Sequence, residues 1–150
     1  MEQRRLGNRN VGAIGFGTMS FGGIFGATDE ATSLACLDAA ADAGISHFDT
    51  ANIYAHWVEG FKGGESEALL GKWMRERGNR DCLFLATKVG FNYPGVEQTL
   101  RASVIEAEAD KSLKRLGVDT IDLYYAHVDD YNTPIEESLE AFDRLVQAGK

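Results

Sequence analysis

The chain has 150 residues, of which 44% are hydrophobic and 25% charged, and its formal net charge is -8. This length and apolar content suit one globular domain with a packed core. The acidic balance and the dispersed basic residues argue against a nucleic-acid partner, because phosphate binding needs clustered Lys and Arg. No apolar run approaches the roughly 18 residues that span a bilayer, and the N-terminus lacks the apolar core of a signal peptide. We therefore expect a cytoplasmic protein with no membrane partner.

Four short apolar runs alternate along the chain with segments of helical periodicity. The runs are AIGFGT (13–18), ISHFDTA (45–51), LFLATKV (83–89) and IDLYYAH (121–127). The helical segments close at glycines that suit the left-handed position after a helix, namely Gly44, Gly78, Gly117 and Gly149. The last helix also has a start signal, with Thr133 as its cap and Pro134 at its first position. Before the first run, RRLGNRNVG has the turn chemistry of a short hairpin.

Strands joined by helical crossovers lie parallel, so the pattern predicts a parallel α/β sheet. Two architectures fit this pattern, a doubly wound sheet and a (β/α)8 barrel. Gly15 and Gly17 could begin the dinucleotide fingerprint of a doubly wound fold, but position 20 is Ser, so GxGxxG is incomplete. In both architectures the C-terminal ends of the strands meet at one face, where functional residues collect.

Three consecutive predicted strands carry an ionisable side chain at their C-terminal ends. Asp49 ends the second predicted strand, with Tyr54 in the loop just after it, while Lys88 and His127 end the third and fourth predicted strands. Each residue alone has an ordinary structural explanation, but their joint placement favours a shared site. A metal site is the other common use of Asp and His; a central lysine without a paired ligand motif argues against it.

The residue types at these strand ends suit proton transfer to a carbonyl oxygen. A phenol such as that of Tyr54 is a weak acid at neutral pH, and a nearby ammonium makes its proton easier to release. Lys88 can supply this ammonium, and Asp49 can hold it in place. His127 can donate a hydrogen bond to a substrate oxygen. Together they would protonate an oxygen as hydride arrives at the attached carbon.

For several other residues the sequence allows two interpretations. His56 and Trp57, in the loop AHWVEGFKGGE, either line a substrate pocket or lie exposed to solvent. His47 either joins the polar cluster or lies in the sheet interior. The acidic residues of the third helical segment, Glu106, Glu108 and Asp110, are predicted to form a solvated face.

Six stretches of the chain resemble the aldo/keto reductase family. They are IGFGTMSFGG (14–23), HFDTANIY (47–54), GESEALLG (64–71), LATKVG (85–90), SLKRLGVDTIDLYYAH (112–127) and TPIEESLEAFDRLVQAGK (133–150). The resemblance implies a (β/α)8 barrel that uses NADPH to reduce aldehydes or ketones. It implies that Tyr54 is the general acid, Lys88 the residue that tunes it, Asp49 the partner of Lys88 and His127 the substrate-orienting residue. It also implies that Thr18, Met19 and Asp49 approach the nicotinamide ribose.

The chain departs from the family pattern in two ways. The loop between Tyr54 and Ser66 is longer than the brief glycine-containing connection common in the family, which leaves the substrate open. A complete barrel needs eight strands and about 250 residues, so we expect residues 1–150 to form the N-terminal half barrel, with most NADPH contacts in the other half. Three explanations remain open: a fragment or truncated reductase, a half barrel that pairs with a second copy, and a non-catalytic regulatory or oligomerising module.

Overall fold

The computed structural model describes residues 2–21 and 29–150. Gly22 and Gly23, which end the first stretch of family resemblance, lie outside the described residues. The strands are β1 (Gln3–Leu6), β2 (Arg9–Gly12), β3 (Gly15–Gly17), β4 (His47–Asp49), β5 (Phe84–Val89) and β6 (Leu123–Ala126). The helices are α1 (Glu30–Asp42), α2 (Glu65–Arg77), α3 (Ala102–Leu116) and α4 (Ile135–Gln147), with one 3-10 turn at Arg80–Cys82. The predicted alternation of strands and helices is confirmed.

The strands form two sheets. β1 and β2 pair antiparallel as the predicted N-terminal hairpin. The other four strands form a parallel sheet in the order β3-β4-β5-β6, so neighbours in sequence are neighbours in space. The register places Asp49 opposite Ala86 and Lys88 opposite Tyr125. All six residues of β5 are buried, as expected for a strand covered on both faces.

The helices identify the sheet as a half barrel. One face of the sheet, which includes Phe48 and Leu85, packs against residues of α1, α2 and α3 such as Leu37, Leu70 and Leu116. α3 and α4 cover the β5 end of the same face through Val89, Ile105 and Leu145. Since successive residues of a strand point to opposite faces, Asp49, Lys88 and Tyr125 lie on the other, inner face. A doubly wound sheet carries helices on both faces, so the sequential order and one-sided helices confirm the barrel type.

The helix ends follow the sequence signals with one exception. The four predicted glycines all have positive φ, and Gly78 and Gly117 cap α2 and α3 in the left-handed conformation. α4, however, begins after Pro134, and the side chain of Thr133 does not cap it. Thr133 instead donates its backbone N–H and its hydroxyl to the carboxylate of Asp130. The predicted cap is wrong because the Thr133 hydroxyl is turned towards Asp130 in the preceding loop and accepts no bond from an N–H of α4.

Apolar side chains remain exposed near one end of the sheet. On α4, Ile135 is 67% and Val146 76% exposed, and Leu139 between them is also exposed. Within the described residues, β3 and β6 each pair with a neighbour on one side only. Unpaired strand edges and exposed apolar side chains are features that proteins usually cover. No helix of the described ranges is both long and apolar enough to cross a membrane.

The contact between α2 and α3 depends on a glycine. A Cβ at Gly71, in the middle of α2, would lie 2.5 Å from the carbonyl oxygen of Leu116 at the end of α3. That oxygen belongs to the backbone, so a clash could be relieved only by separating the helices. Gly71 therefore sets the distance between two helices that cover the sheet.

We expect Gly71→Ala to lower the free energy of unfolding by about 1–3 kcal/mol, the usual cost of overpacking. The sign is informative, because glycine to alanine inside a helix ordinarily stabilises a protein by about 1 kcal/mol. Urea unfolding followed by circular dichroism measures the change. Gly17→Ala is the control, because a Cβ there meets no atom of residues 2–21 or 29–150 within 4 Å. Equal or higher stability of Gly71→Ala would contradict the packing described.

Candidate active site

The ammonium of Lys88 lies at the centre of the candidate site and is almost completely buried. It donates to Asp49 Oδ1 at 2.5 Å, to the carbonyl oxygen of Thr50 at 2.7 Å and to the Tyr54 hydroxyl at 2.9 Å. A lysine ammonium has three protons to donate, so each has an acceptor. Burying a charge is costly unless it is paired and hydrogen-bonded, and Lys88 meets both conditions.

The three acceptors lie at the end of β4 and in the turn that follows it. β4 ends at Asp49, and the following tight turn, closed by a bond from the Tyr54 N–H to the Ala51 carbonyl, returns Tyr54 towards the sheet. Thr50 continues the pairing with β5 through its N–H, which bonds to the Ala86 carbonyl. The segment from 50 to 55 is buried, so the phenol is held by packing as well as by Lys88.

The carboxylate of Asp49 receives two donors on its two oxygens. Lys88 bonds to Oδ1, and the hydroxyl of Tyr125 bonds to Oδ2 at 2.6 Å. The Asp49 side chain is 28% exposed, which places the ion pair at the rim of the inner face. The sequence predicted the contact with Lys88 and missed the contact with Tyr125. The signal was present, because Tyr125 stands two positions before His127 on one face of a strand.

Tyr54 acts as an acceptor towards Lys88, since an ammonium can only donate. The Lys88 nitrogen also lies 4.6 Å from the centre of the Tyr54 ring. Because the hydroxyl oxygen accepts from Lys88, its own proton is directed to another acceptor. Such an arrangement can deliver a proton to a bound molecule.

His127 lies beside this cluster at the end of β6. Its ring centre is 5.8 Å from that of Tyr54 and 5.5 Å from that of Phe91, both edge-to-face. Burial lowers the pKa of His127 below its usual value, and the nearby positive charge of Lys88 lowers it further, while Asp49 partly offsets both. The imidazole is therefore neutral at pH 7. Its Nδ1 is buried without a hydrogen-bond partner in the described part of the chain.

Thr18 and Met19, the other predicted cofactor residues, follow β3. Thr18 is fully buried, and its hydroxyl bonds to the Asp49 carbonyl at 3.2 Å and to the Ser66 hydroxyl at 2.7 Å. That hydroxyl is already engaged, so Thr18 fixes the backbone beside Asp49. Met19 is half-buried and packs against the group formed by Ala51, Ile53 and Tyr54. The structure thus places Thr18 beside Asp49 and Met19 against the group that contains Tyr54.

The long loop after Tyr54 folds against the site as a series of turns. Ala55 is buried and has φ of 79°, a conformation that favours glycine. His56 and Trp57 are half-buried, and the Trp57 ring centre lies 6.2 Å from that of Tyr54. The Trp57 indole N–H is buried and has no hydrogen-bond partner within the described ranges. The packing of this loop beside Tyr54 favours the interpretation that it lines a substrate pocket over the interpretation that it lies exposed to solvent.

Glu108 corrects the prediction of a solvated acidic face on α3. It is only 1% exposed, and its carboxylate accepts from Asn52 Nδ2 at 2.7 Å, from the Tyr93 hydroxyl at 2.6 Å and from Lys111 Nζ at 2.8 Å. Burial alone would raise the pKa of Glu108, but the bonds from Lys111, Tyr93 and Asn52 outweigh burial and lower it. The prediction is wrong for Glu108 because the spacing of acidic residues along a helix does not show whether a carboxylate faces solvent. The Glu108 carboxylate instead bonds to two loops, those of Asn52 and Tyr93.

Comparisons with known proteins agree with this geometry. The family model described as "Aldo/keto reductase family" matches residues 13–150. The chain belongs to the aldo/keto reductase family. It is 41% identical to the aldo-keto reductase yakc [NADP(+)] of Schizosaccharomyces pombe, over 98% of this chain and 42% of that protein. It is also 41% identical to the aldo-keto reductase YhdN of Bacillus subtilis, over 100% of this chain and 45% of that protein.

A solved structure of the family has the same fold. The aldo-keto reductase AKR11C1 from Bacillus halodurans, in its holo form, superimposes with a TM-score of 0.82 at 35% identity. The match covers 99% of this chain and 47% of that one. The chain therefore spans about half the length of the aldo/keto reductases that it matches. The resemblance inferred from the sequence is confirmed, while the roles of the individual site residues stay predictions.

Glu108 and Glu106 offer a matched pair of substitutions on α3. We expect Glu108→Ala to lower the free energy of unfolding by roughly 2–4 kcal/mol, because it leaves the buried donors of Asn52 and Tyr93 without an acceptor. Glu106→Ala removes a surface ion pair with Arg144 and should cost no more than about 1 kcal/mol. Chemical denaturation measures both; similar costs for the two variants would contradict the distinction.

Two histidines make the stability depend on pH. Burial lowers the pKa of His47 as well as that of His127, with Asp49 partly offsetting the effect at His47. Below the unfolded-state value of about 6.5, the unfolded chain gains protons that the folded chain resists. We therefore expect the free energy of unfolding to fall as the pH drops from 7 to 5. Urea unfolding at several pH values tests this, and His47→Asn with His127→Asn should flatten the dependence; a stability that rises on acidification to pH 5 would contradict it.

Proposed function

We propose that this chain carries the acid–base site of an NADPH-dependent reduction of aldehydes or ketones. The observation that supports it most is the bond from the Lys88 ammonium to the Tyr54 hydroxyl at 2.9 Å, with Asp49 on the same ammonium. An ammonium beside a phenol stabilises the phenolate that forms when the proton leaves. Tyr54 is therefore the general acid, Lys88 the residue that assists it, and Asp49 the residue that holds Lys88 in place.

The proposed reaction needs one hydride and one proton. When bound, NADPH supplies the hydride to the carbonyl carbon. Tyr54 donates its hydroxyl proton to the carbonyl oxygen, so that the C=O bond becomes an alcohol and the phenolate is left facing Lys88. Solvent then returns the proton to Tyr54. Tuned acids of this kind typically accelerate a reaction by about 10²–10⁴-fold.

His127 orients the carbonyl substrate. Its imidazole is neutral, so one ring nitrogen carries a proton that can be donated to the substrate oxygen while the group adds no positive charge beside Lys88. Phe91 and Tyr54 pack against its ring from two sides and limit its rotation. The carbonyl oxygen of the substrate therefore lies within reach of both the His127 ring and the Tyr54 hydroxyl, with the Trp57 loop alongside.

The residues beside β3 and β4 fit the nicotinamide end of the cofactor. Asp49 lies at the rim with its side chain 28% exposed, and Met19 is half-buried next to Tyr54. An apolar thioether and a carboxylate at this rim suit the ring and the ribose hydroxyls of a nicotinamide nucleotide. Thr18 contributes through the backbone that it fixes, since its hydroxyl is bonded to Ser66.

We also propose that further βα units of the same kind cover the open edges. β3 and β6 are each paired on one side within the described residues, and Ile135 and Val146 expose apolar surface on α4. These units would come from a second copy of this chain or from the second half of a barrel. The matched relatives, about twice as long as this chain, support this proposal.

We expect Tyr54→Phe to lower kcat by at least about a hundredfold, because it removes the proton donor while it keeps the aromatic ring. The measurement is the oxidation of NADPH in the presence of a panel of aldehydes and ketones. Binding of NADPH, followed by its fluorescence, is the control for folding and should be unchanged. Turnover of Tyr54→Phe equal to that of the unchanged protein would remove Tyr54 from the mechanism. The function would be contradicted by a chain whose open edges are covered by further βα units, as proposed above, and that neither binds NADPH nor reduces any carbonyl compound.

A further inference from the structure

Tyr125 contacts both members of the ion pair in the candidate site. Its hydroxyl bonds to Asp49 Oδ2 at 2.6 Å, and its ring centre lies 5.5 Å from the Lys88 nitrogen. We propose that Tyr125 is a positioning residue, which acts on Tyr54 through Asp49 and Lys88 and controls how strongly the ammonium assists the departing proton. This inference rests on the proposed reductase function, and its tests include one that needs no turnover.

The sheet register explains how Tyr125 reaches Asp49. Tyr125 lies on β6 opposite Lys88, whereas Asp49 lies two strands away on β4, opposite Ala86 of β5. Neighbouring strands are about 4.8 Å apart, so the Tyr125 side chain must pass over β5 to reach Asp49. The small side chain of Ala86 leaves room for this crossing. A phenol is long enough to span it and ends in a hydrogen-bond donor.

The two phenols of the site have opposite roles in their hydrogen bonds. Tyr54 accepts from an ammonium, while Tyr125 donates to a carboxylate. Burial raises the pKa of Tyr125, and its hydrogen bond to the Asp49 carboxylate raises it further. Tyr125 therefore holds its proton more firmly than a free phenol, and it remains a donor to Asp49 throughout the reaction.

The hydrogen bond from Tyr125 to Asp49 weakens the effect of the Asp49 negative charge on Lys88. A hydrogen bond to Oδ2 stabilises part of the negative charge of Asp49 on the oxygen remote from Lys88. It also fixes the rotation of a carboxylate that is 28% exposed. With less of its charge neutralised by Asp49, the ammonium acts more strongly on the Tyr54 oxygen. Within the described residues, the charged and titratable groups that bear on Tyr125 are Asp49, Lys88 and Tyr54. His127 packs against Tyr54 and is affected by the charges of Lys88 and Asp49.

Tyr125→Phe tests the role in turnover, and Tyr124→Phe is its matched control. Tyr124 is the preceding residue of β6, and its hydroxyl faces away from the site, 3.4 Å from the Ile105 carbonyl of α3. We expect Tyr125→Phe to lower kcat about tenfold, the scale of one hydrogen bond, with little change in KM. Tyr124→Phe should keep kcat within about twofold. Equal kcat for Tyr125→Phe and the unchanged protein would overturn the proposal.

The pH profile separates this role from a loss of packing. Without Tyr125, Asp49 neutralises Lys88 more fully, so the ammonium assists the loss of the Tyr54 proton less. We expect the fall of the reduction rate on the basic side to move to higher pH in Tyr125→Phe. It should not move in Tyr124→Phe. A lower kcat with an unmoved profile would show that Tyr125 only supports the fold, and would refute the positioning role.

The hydrogen bond itself can be tested without any turnover. In protein carrying tyrosine labelled with 13C at Cζ, the signal of Tyr125 is identified by its loss in Tyr125→Phe. We expect this signal to titrate at lower pH in Asp49→Asn than in the unchanged protein, because the carboxylate that raises the pKa of Tyr125 is gone. Titration at the same pH in both would overturn the inference. A protein without reductase activity that shows the expected difference would refute the proposed function and leave the contact of Tyr125 with Asp49 established.

Discussion

The buried ammonium of Lys88 is the constraint on which the site depends. A charge inside a protein is tolerated only where hydrogen bonds and an opposite charge replace water. Lys88 obtains these from Asp49, Thr50 and Tyr54, all within a six-residue stretch at the end of β4. The requirement to satisfy three protons of one lysine thus fixes the turn that presents the phenol. The same contacts give the site its proposed chemistry, because the charge that must be paired is also the one that assists the acid.

The opposite face of the sheet holds a second set of buried charges. Thr87, next to Lys88 on β5, points outward and donates to Glu67 of α2 at 2.6 Å, and Arg115 of α3 bonds to the same carboxylate at 2.6 Å. Glu108 holds the loops of Asn52 and Tyr93 from the same side. Through Asn52, this outer network reaches a position two residues from Tyr54. The phenol is therefore supported from both faces of the sheet.

Much of this arrangement can be predicted from local patterns in the sequence. Alternating apolar runs and glycine stops predict the strands and helices because backbone geometry and burial act locally. The contact of Asp49 with Lys88 is predictable, since the ends of parallel strands meet at one face. Thr133, Glu108 and Tyr125 behave differently: their partners are side chains far along the chain, or a loop carboxylate such as Asp130. Residue type and spacing indicate a donor or an acceptor, but only the folded chain decides which partner it meets.

The central claim is that one ammonium joins Asp49 and Tyr54 in a single pocket. A crystal structure of the protein at high resolution tests it most directly, through the separation of the Lys88 nitrogen from the Tyr54 hydroxyl oxygen. We expect a separation of about 2.9 Å, with Asp49 bonded to the same nitrogen. A Lys88 side chain turned to solvent, with its nitrogen beyond hydrogen-bond reach of Tyr54, would contradict it.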